Sequence, residues 1–140
     1  MKDDFVKDWM TANPITVTED SVLPDAHALL KEYNIRRLPV VNGNNDLVGI
    51  VSLTDVREAE PSDATSLSIY ELNYLLSRLK VGKIMTSKVL TVTPETTIAE
   101  AARLMLEKKI GGLPVVDGKK VVGVITESDI FRLIVQRYAE

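Results

Sequence analysis

Hydrophobic and polar positions follow the same order in both halves of this 140-residue chain. A short run of β-branched residues opens each half, at residues 15–18 and 90–93, and predicts a strand. Apolar residues at helical spacing come next, cleanly over residues 98–105 and less regularly over 23–30. Each half therefore begins with a strand that is followed by an amphipathic helix.

Two further apolar runs in each half are joined by a polar turn that contains glycine, which is typical of a β-hairpin. A second helix is predicted to begin near Thr54 in the first half and near Ser128 in the second, where it continues to Arg137. Each half is thus a β-α-β-β-α unit with a small mixed sheet. The hairpin strands are predicted at residues 38–41 with 47–51 and at 113–116 with 121–125.

The first helix of each half has its own start signal. Thr97 and Glu100 have the spacing of a capping box, in which each side chain accepts a backbone hydrogen bond. Pro24 is suited to the first helical position, where a missing N–H costs nothing. These signals support the helices that periodicity alone predicts.

The two halves are an internal repeat. Residues 10–43 align with 85–118 at a constant offset of 75, and fourteen of those 34 positions are identical. One residue is lost in the hairpin loop, after which residues 49–55 align with 123–129 at an offset of 74. Because a unit of about 50 residues is marginal alone, we expect the two repeats to share a core in one α+β module with pseudo-twofold symmetry.

The repeats are separated by a connecting region. We divide the chain into a first repeat at residues 6–58, a connecting region at 59–80 and a second repeat at 81–138. Residues 57–66 are polar and include a proline, which predicts a linker. Apolar residues at helical spacing then predict an amphipathic helix that leads into the second repeat: Ile69, Leu72, Leu76 and Leu79.

Composition and charge narrow the classes of function. The chain is 45% hydrophobic and 26% charged, as in ordinary globular domains, and its net charge of −3 disfavours general attraction to nucleic acid. It has no cysteine and one histidine, His27, which argues against thiolate or multi-histidine metal sites. It has no signal-peptide pattern and no apolar run long enough to cross a membrane, so we expect a cytoplasmic protein.

One polar motif recurs where each hairpin meets its second helix. Ser52 and Asp55 stand three residues apart, as do Thr126 and Asp129. A hydroxyl there can join helix N-terminal amides around an anion, and an ionised carboxylate can accept hydrogen bonds from both hydroxyls of a ribose. The alternative is that these residues only cap the helices, which is worth about 1 kcal/mol.

The paired Met-Thr, Leu-Pro-Val-Val and Gly-x-x-Ser/Thr-x-x-Asp segments resemble those of tandem CBS-domain proteins over roughly residues 6–135. The chain is most similar to the stand-alone type, including acetoin-utilisation-type CBS proteins. The resemblance implies a regulatory CBS pair that binds an adenosine nucleotide. It also favours a ligand site at Asp55 and Asp129 over helix caps alone.

The resemblance implies two crossed ligand sites, because the family combines the ribose-binding Asp of one repeat with the first strand and basic residues of the other. In the stronger site, two guanidiniums are available to bind phosphate. The weaker site has glycines at those positions, so we expect it to bind weakly, to be empty or to hold a ligand with less phosphate. The stronger site is assigned to Thr11, Asn13, Pro14, Ile15, Arg36, Arg37, Thr126, Glu127, Ser128 and Asp129. The weaker site is assigned to Thr86, Lys88, Val89, Leu90, Gly111, Gly112, Ser52, Leu53, Thr54 and Asp55.

Other conspicuous side chains are given structural interpretations. His27 is interpreted as a surface or half-buried helix residue. Trp9 is interpreted as an apolar anchor, with stacking on a base as the alternative. Core or dimer-surface positions are expected for Tyr70, Tyr74, Ile130, Leu133, Ile134 and Tyr138.

We therefore expect a regulatory module that binds AMP, ADP or ATP, forms a homodimer, and needs no metal or obligatory cofactor. We expect no catalysis, because the sequence has no phosphate-binding Gly-rich loop and no nucleophile motif. A ligand that favours one arrangement of the repeats would regulate an unidentified partner protein. The alternatives are a module that docks on an enzyme or transporter, a binder of S-adenosylmethionine or NAD, and a nucleic-acid binder, which the net acidity disfavours. Arg36 and Arg37 favour phosphate over a positively charged sulfonium.

Overall fold

The computed structural model of the chain describes residues 3–60 and 68–139, which fall into two units. The N-terminal unit is Ile15–Val89, and the C-terminal unit combines Met1–Pro14 with Leu90–Glu140. The elements in chain order are α1 Val6–Trp9, β1 Thr11–Ala12, β2 Val17–Thr18, α2 Leu23–Glu32, β3 Arg37–Val41, β4 Leu47–Ser52, α3 Leu53–Ala59, α4 Ile69–Arg78, α5 Val81–Ile84, α6 Ile98–Lys108, β5 Gly112–Asp117, β6 Lys120–Thr126 and α7 Glu127–Tyr138.

Each unit contains a small sheet built around a hairpin, as predicted. In the N-terminal unit the strand order is β2-β3-β4, with β2 parallel to β3 and β3 antiparallel to β4. In the C-terminal unit the order is β1-β6-β5, and both pairs are antiparallel. Each unit also has an isolated bridge that matches a strand pair of the other unit. Val92 pairs in parallel with Val115, as β2 does with β3, and Thr86 pairs antiparallel with Ile50, as β1 does with β6. Both sheets are therefore mixed.

The predicted strands at residues 15–18 and 90–93 are shorter than expected. Only Val17 and Thr18 form a strand in the first repeat, and only Val92 makes a bridge in the second. The side chains of Val17 and Val92 are buried, whereas the flanking residues are more exposed. Each run is attached to its hairpin by backbone pairing at a buried valine, Val17 with Val40 and Val92 with Val115.

The predicted helices are present, and the second helix of each repeat begins one residue earlier than predicted. α3 and α7 begin at Leu53 and Glu127 because Ser52 and Thr126 occupy the N-cap positions. Pro24 is the second residue of α2, still inside the first turn, where backbone N–H groups have no helical partner.

The predicted linker overlaps α3, which extends to Ala59, so residues 57–59 are helical. Residues 61–66 of that linker lie outside the described residues. The predicted helix after it is present as α4, although none of its residues is fully buried. Leu76 and Leu79 pack against the core of the N-terminal unit, whereas Ile69 is 68% exposed.

Each unit has its own cluster of buried hydrophobic residues, drawn from the inner faces of its helices and its sheet. The apolar stripes predicted on the first helices supply the centre of each cluster. In the N-terminal unit the cluster is Val17, Leu23, Ala26, Leu30, Leu38, Val40, Val51, Val56 and Val81. In the C-terminal unit it is Val6, Val92, Ile98, Ala101, Met105, Leu113, Val115, Ile125, Ile130 and Leu133.

The segment at the start of each repeat packs in the unit that contains the other repeat's hairpin. We call residues 4–14 and 79–89 the leading segments. Val6 N–H donates to Thr96 O over 2.8 Å, and at the equivalent position Val81 N–H donates to Ser21 O over 2.8 Å. Both valine side chains are fully buried. The two leading segments therefore use the same hydrogen bond and the same apolar anchor.

A glycine in each hairpin lets the leading segment approach closely. A Cβ built on Gly123 would lie 2.5 Å from Met10 Sδ and 3.0 Å from Thr11 O. A Cβ on Gly49 would lie 2.5 Å from Met85 Sδ and 2.9 Å from Thr86 O. Because each position is blocked by a backbone carbonyl as well as a side chain, no rotamer change alone would make room.

Gly123→Ala is expected to lower the free energy of unfolding by about 1–3 kcal/mol, because overpacking forces the leading segment away from β6. Thermal or urea unfolding measures the loss. Gly43→Ala is the matched control, since a Cβ there would meet nothing within 4 Å. Equal stability of the two variants would contradict the importance of this close approach.

Candidate functional site

The two Ser/Thr-x-x-Asp motifs cap the helices that follow the hairpins. Ser52 N–H donates to Asp55 Oδ2 over 2.8 Å, and Asp55 N–H donates back to Ser52 Oγ over 3.0 Å. Thr126 N–H donates to Asp129 Oδ2 over 2.9 Å, and the Thr126 hydroxyl donates to the same oxygen over 3.2 Å. The interpretation of these residues as caps is therefore confirmed.

Capping uses only one oxygen of each carboxylate. Oδ2 of Asp55 and Oδ2 of Asp129 point back to the backbone of the N-cap residue, which fixes the orientation of the carboxylate plane. Oδ1 remains on the other side of each carboxylate, and an ionised carboxylate has about four acceptor positions in all. A ligand hydroxyl can thus be bound without loss of the cap.

The two carboxylates differ in exposure and in local charge. Asp129 is only 4% exposed, whereas Asp55 is half-buried. Oδ1 of Asp129 lies 3.2 Å from Nη2 of Arg132, the residue one turn further along α7. The internal repeat places Glu58 at the equivalent position of α3, so Asp55 has no such cation.

Within each unit, the dipeptide before the hairpin lies beside the motif of the same repeat. Leu53 N–H donates to Arg36 O over 2.8 Å, and Arg37 pairs with Ser52 in the ladder between β3 and β4. In the C-terminal unit, Gly111 and Gly112 occupy the same places: Glu127 N–H donates to Gly111 O over 3.1 Å, and Gly112 pairs with Thr126. The arginine pair is thus adjacent to the Asp55 motif, and the glycine pair is adjacent to the Asp129 motif.

The leading segments run beside the strands that end in these motifs. Thr11 pairs with Val124 of β6, and Thr86 pairs with Ile50 of β4. Asn13 has a left-handed backbone with φ of 49° and donates from its N–H to Val122 O over 3.2 Å. Asparagine tolerates this conformation better than most residues, and it turns the chain away from β6 after Ala12.

The sequence-predicted sites each draw residues from both units. Of the stronger site, the C-terminal unit contains Thr11, Asn13, Pro14 and the motif at residues 126–129, while Ile15, Arg36 and Arg37 belong to the N-terminal unit. Of the weaker site, the N-terminal unit contains Thr86, Lys88, Val89 and the motif at residues 52–55, while Leu90, Gly111 and Gly112 belong to the C-terminal unit.

Sequence reasoning missed Arg132. Its Nη2 donates to Trp9 O over 2.9 Å, and its guanidinium lies 5.9 Å from the centre of the Trp9 ring. The i, i+3 spacing from Asp129 is a signal that was available, because residues three apart are neighbours on a helix. Trp9 itself is half-buried and packs on the core of the C-terminal unit, as expected of an apolar anchor.

The other singled-out residues are placed as structural elements. His27 is half-buried on α2, with Nδ1 3.1 Å from Glu60 Oε1. Ile130 and Leu133 are core residues, whereas Ile134 and Tyr138 are on the exposed side of α7.

The described residues contain no cluster of three His, Cys, Asp or Glu side chains that could hold a metal ion. No helix in the described ranges is both long and apolar enough to cross a membrane.

The profile of the CBS domain family matches residues 6–62 and 81–136. A CBS domain-containing protein of Dictyostelium discoideum, DDB_G0289609, is 33% identical over 133 residues, which cover 94% of this chain and 92% of the relative. Protein MJ1404 of Methanocaldococcus jannaschii is 35% identical over 137 residues, but this chain spans only 32% of its length. A homoserine O-acetyltransferase of Methanococcoides burtonii is 37% identical over 130 residues, and this chain spans 24% of that enzyme.

Solved structures of similar chains include complexes with adenosine derivatives. AcuB of Vibrio cholerae, a protein attributed to acetoin utilization, has 34% identity and a TM-score of 0.78, with 97% of each chain covered. CBSX2 of Arabidopsis thaliana in complex with AMP has 35% identity and a TM-score of 0.80, with 96% of this chain and 98% of the other covered. The CBS domain pair of MJ0100 with 5′-methylthioadenosine and S-adenosyl-L-methionine has 30% identity and a TM-score of 0.78, with 95% and 97% covered.

Proposed function

Because this chain belongs to the CBS-domain family and carries two copies of the domain, we propose that it binds an adenosine nucleotide as a regulatory ligand and is not itself an enzyme. The observation that carries the proposal is the oriented carboxylate at the start of α3 and of α7. The complexes of CBSX2 with AMP and of MJ0100 with adenosyl ligands support the same class of ligand. The chain thus acts by binding, as a sensor of AMP, ADP or ATP in the cytoplasm.

Ribose recognition is assigned to Asp55 and Asp129. Each carboxylate is held by a cap through Oδ2, so Oδ1 is presented without the entropy cost of ordering a free side chain. A vicinal diol donates two hydrogen bonds, which matches an acceptor-only group and excludes a phosphate by charge repulsion. The carboxylates therefore select the sugar rather than the phosphate.

Phosphate recognition is assigned to Arg36 and Arg37. Arg36 is exposed at the start of the hairpin and Arg37 is half-buried on β3, and the backbone of both residues is ordered by its contacts with Leu53 and Ser52. Arginine pairs its N–H groups with phosphate oxygens and keeps its charge at any physiological pH. This preference favours a nucleotide over S-adenosylmethionine, whose sulfonium is positive.

Regulation is proposed to follow from differential binding. A ligand shifts an equilibrium only between states that it binds with different affinity, and a partner protein that binds one of those states is regulated to the same extent.

We also propose that the chain forms a homodimer through the apolar side of α7. Exposed there, within the described residues, are Phe131 at 60%, Ile134 at 40%, Val135 at 64% and Tyr138 at 74%.

AMP at about 100 times its dissociation constant is expected to raise the unfolding midpoint of the wild type by about 5–10 °C. Asp129→Ala is expected to lose most of this shift and Asp55→Ala less, because Asp129 belongs to the stronger proposed site. Each variant is compared with its own ligand-free midpoint, which corrects for the lost cap. Absence of a shift with AMP, ADP, ATP or S-adenosylmethionine would reject the proposal and favour a protein-docking module.

Replacement of Arg36 and Arg37 by alanine is expected to weaken AMP binding about tenfold or more while leaving adenosine binding nearly unchanged, since charge-assisted hydrogen bonds contribute about 1.5–3 kcal/mol. Calorimetric titration with both ligands measures the difference. Arg103→Ala, at an exposed position of α6, controls for loss of positive charge. An equal loss for adenosine and AMP would show that the arginines act on folding or on the nucleoside instead.

Light scattering is expected to give the wild type about twice the chain mass of 15.5 kDa. Ile134→Glu is expected to shift the chain to a monomer, because it places a charge in an apolar contact. Ile69→Glu on α4 is the control, since Ile69 is also exposed but lies on a different surface. A dimer that resists Ile134→Glu but is broken by Ile69→Glu would assign the contact to α4.

A further inference from the structure

Arg132 links three groups that surround the Asp129 carboxylate. One guanidinium nitrogen, Nη2, is 3.2 Å from Asp129 Oδ1 and 2.9 Å from Trp9 O. The guanidinium also lies within cation–π distance of the Trp9 ring, at 5.9 Å from its centre. All three partners lie in the C-terminal unit, so the arrangement depends on no other part of the molecule.

These contacts occupy the acceptor positions that a ribose needs. Oδ2 of Asp129 already accepts from the backbone and the hydroxyl of Thr126. A ribose diol must therefore bind mainly at Oδ1, the oxygen that faces Arg132. The ligand hydroxyls and the guanidinium are donors for the same acceptor.

The first repeat shows what this carboxylate is like without the arginine. Asp55 Oδ2 accepts from Ser52 N–H, and the residue three positions further on is Glu58, which cannot donate when ionised. Asp55 Oδ1 has no hydrogen-bond or ion-pair partner among the described residues. The two repeats thus allow a comparison within one chain between a carboxylate whose Oδ1 contacts an arginine on its own helix, Asp129, and one whose Oδ1 does not, Asp55.

We infer that Arg132 is a positioning residue that competes with the ribose hydroxyls for Asp129 Oδ1 and so lowers the affinity of that site for the nucleoside. This inference rests on the proposed function, because it concerns the same ribose-binding carboxylate. Arg132 is 51% exposed, so it can leave Oδ1 while its contact with Trp9 O or with water is kept. The arginine thereby sets the affinity at Asp129 without touching the ligand.

The test is calorimetric titration with adenosine and with 2′-deoxyadenosine, neither of which carries a phosphate that Arg132 could attract. All variants carry Asp55→Ala, so that only the Asp129 carboxylate remains. Arg132→Met, which keeps a stem of similar length without a charge, is expected to bind adenosine about two- to fivefold more tightly, the size of a partly exposed ion pair. Binding of 2′-deoxyadenosine is expected to improve less, so the preference for ribose rises.

Two control variants isolate the competing charge. Arg132→Lys places a cation at the same position and is expected to restore an affinity close to that with Arg132. Arg103→Met makes the same chemical change on α6 of the same unit and is expected to leave both affinities unchanged. Unfolding of each variant without ligand confirms that it is folded.

The outcomes separate this inference from the proposed function. Unchanged or weaker adenosine binding in Arg132→Met, or binding by Arg132→Lys as tight as by Arg132→Met, would overturn competition by charge. If adenosine binding is abolished by Asp129→Ala yet insensitive to Arg132, the ribose site stands and only the inference fails. If no variant binds adenosine or AMP at all, the proposed function fails and the inference fails with it.

Discussion

Both units depend on the close approach of a leading segment to a hairpin glycine. Met10 lies over Gly123 and Met85 over Gly49 at distances that leave no room for a Cβ. Because the approach is this close, the following threonine can pair with the strand that ends in the Ser/Thr-x-x-Asp motif. The contact that completes each sheet thus also determines which part of the chain lies next to the candidate ribose carboxylate. As a result, the C-terminal unit is built from two segments that are distant in the chain.

Under the proposed function, stability and ligand recognition use different oxygens of the same carboxylates. Oδ2 of Asp55 and of Asp129 closes a helix cap, which is worth about 1 kcal/mol in either unit. Oδ1 is the oxygen available to a ligand, and its orientation is fixed by the bond that Oδ2 makes. The cap and ligand interpretations are therefore compatible, because the cap supplies the preorganisation that a binding site needs.

The sequence was sufficient to predict the elements whose signals are local. Hairpins, helix starts and the buried stripes on α2 and α6 follow from spacing over fewer than ten residues, and the structure contains them. The pairing of Thr11 with Val124 joins positions more than 100 residues apart, and no local pattern encodes it. The internal repeat was the one long-range signal, since it placed the two carboxylates at equivalent junctions. The contacts of Arg132 were missed because they require knowing that Trp9 lies beside α7.

Some of the differences between the repeats lie beside the two carboxylates, where the shared fold does not require them. Arg36 and Arg37 stand where the second repeat has Gly111 and Gly112, and Arg132 stands where the first has Glu58. None of the four side chains, those of Arg36, Arg37, Glu58 and Arg132, belongs to the buried clusters, so core packing does not explain the substitutions. The replacements instead change the charge near the two motifs, because the arginine pair adjoins the Asp55 motif and Arg132 pairs with Asp129. We expect two carboxylates at corresponding junctions, but in different electrostatic surroundings, to differ in their contribution to the binding of one anionic ligand. Under the proposed function, the divergence of the repeats therefore acts on ligand selectivity while the fold is kept.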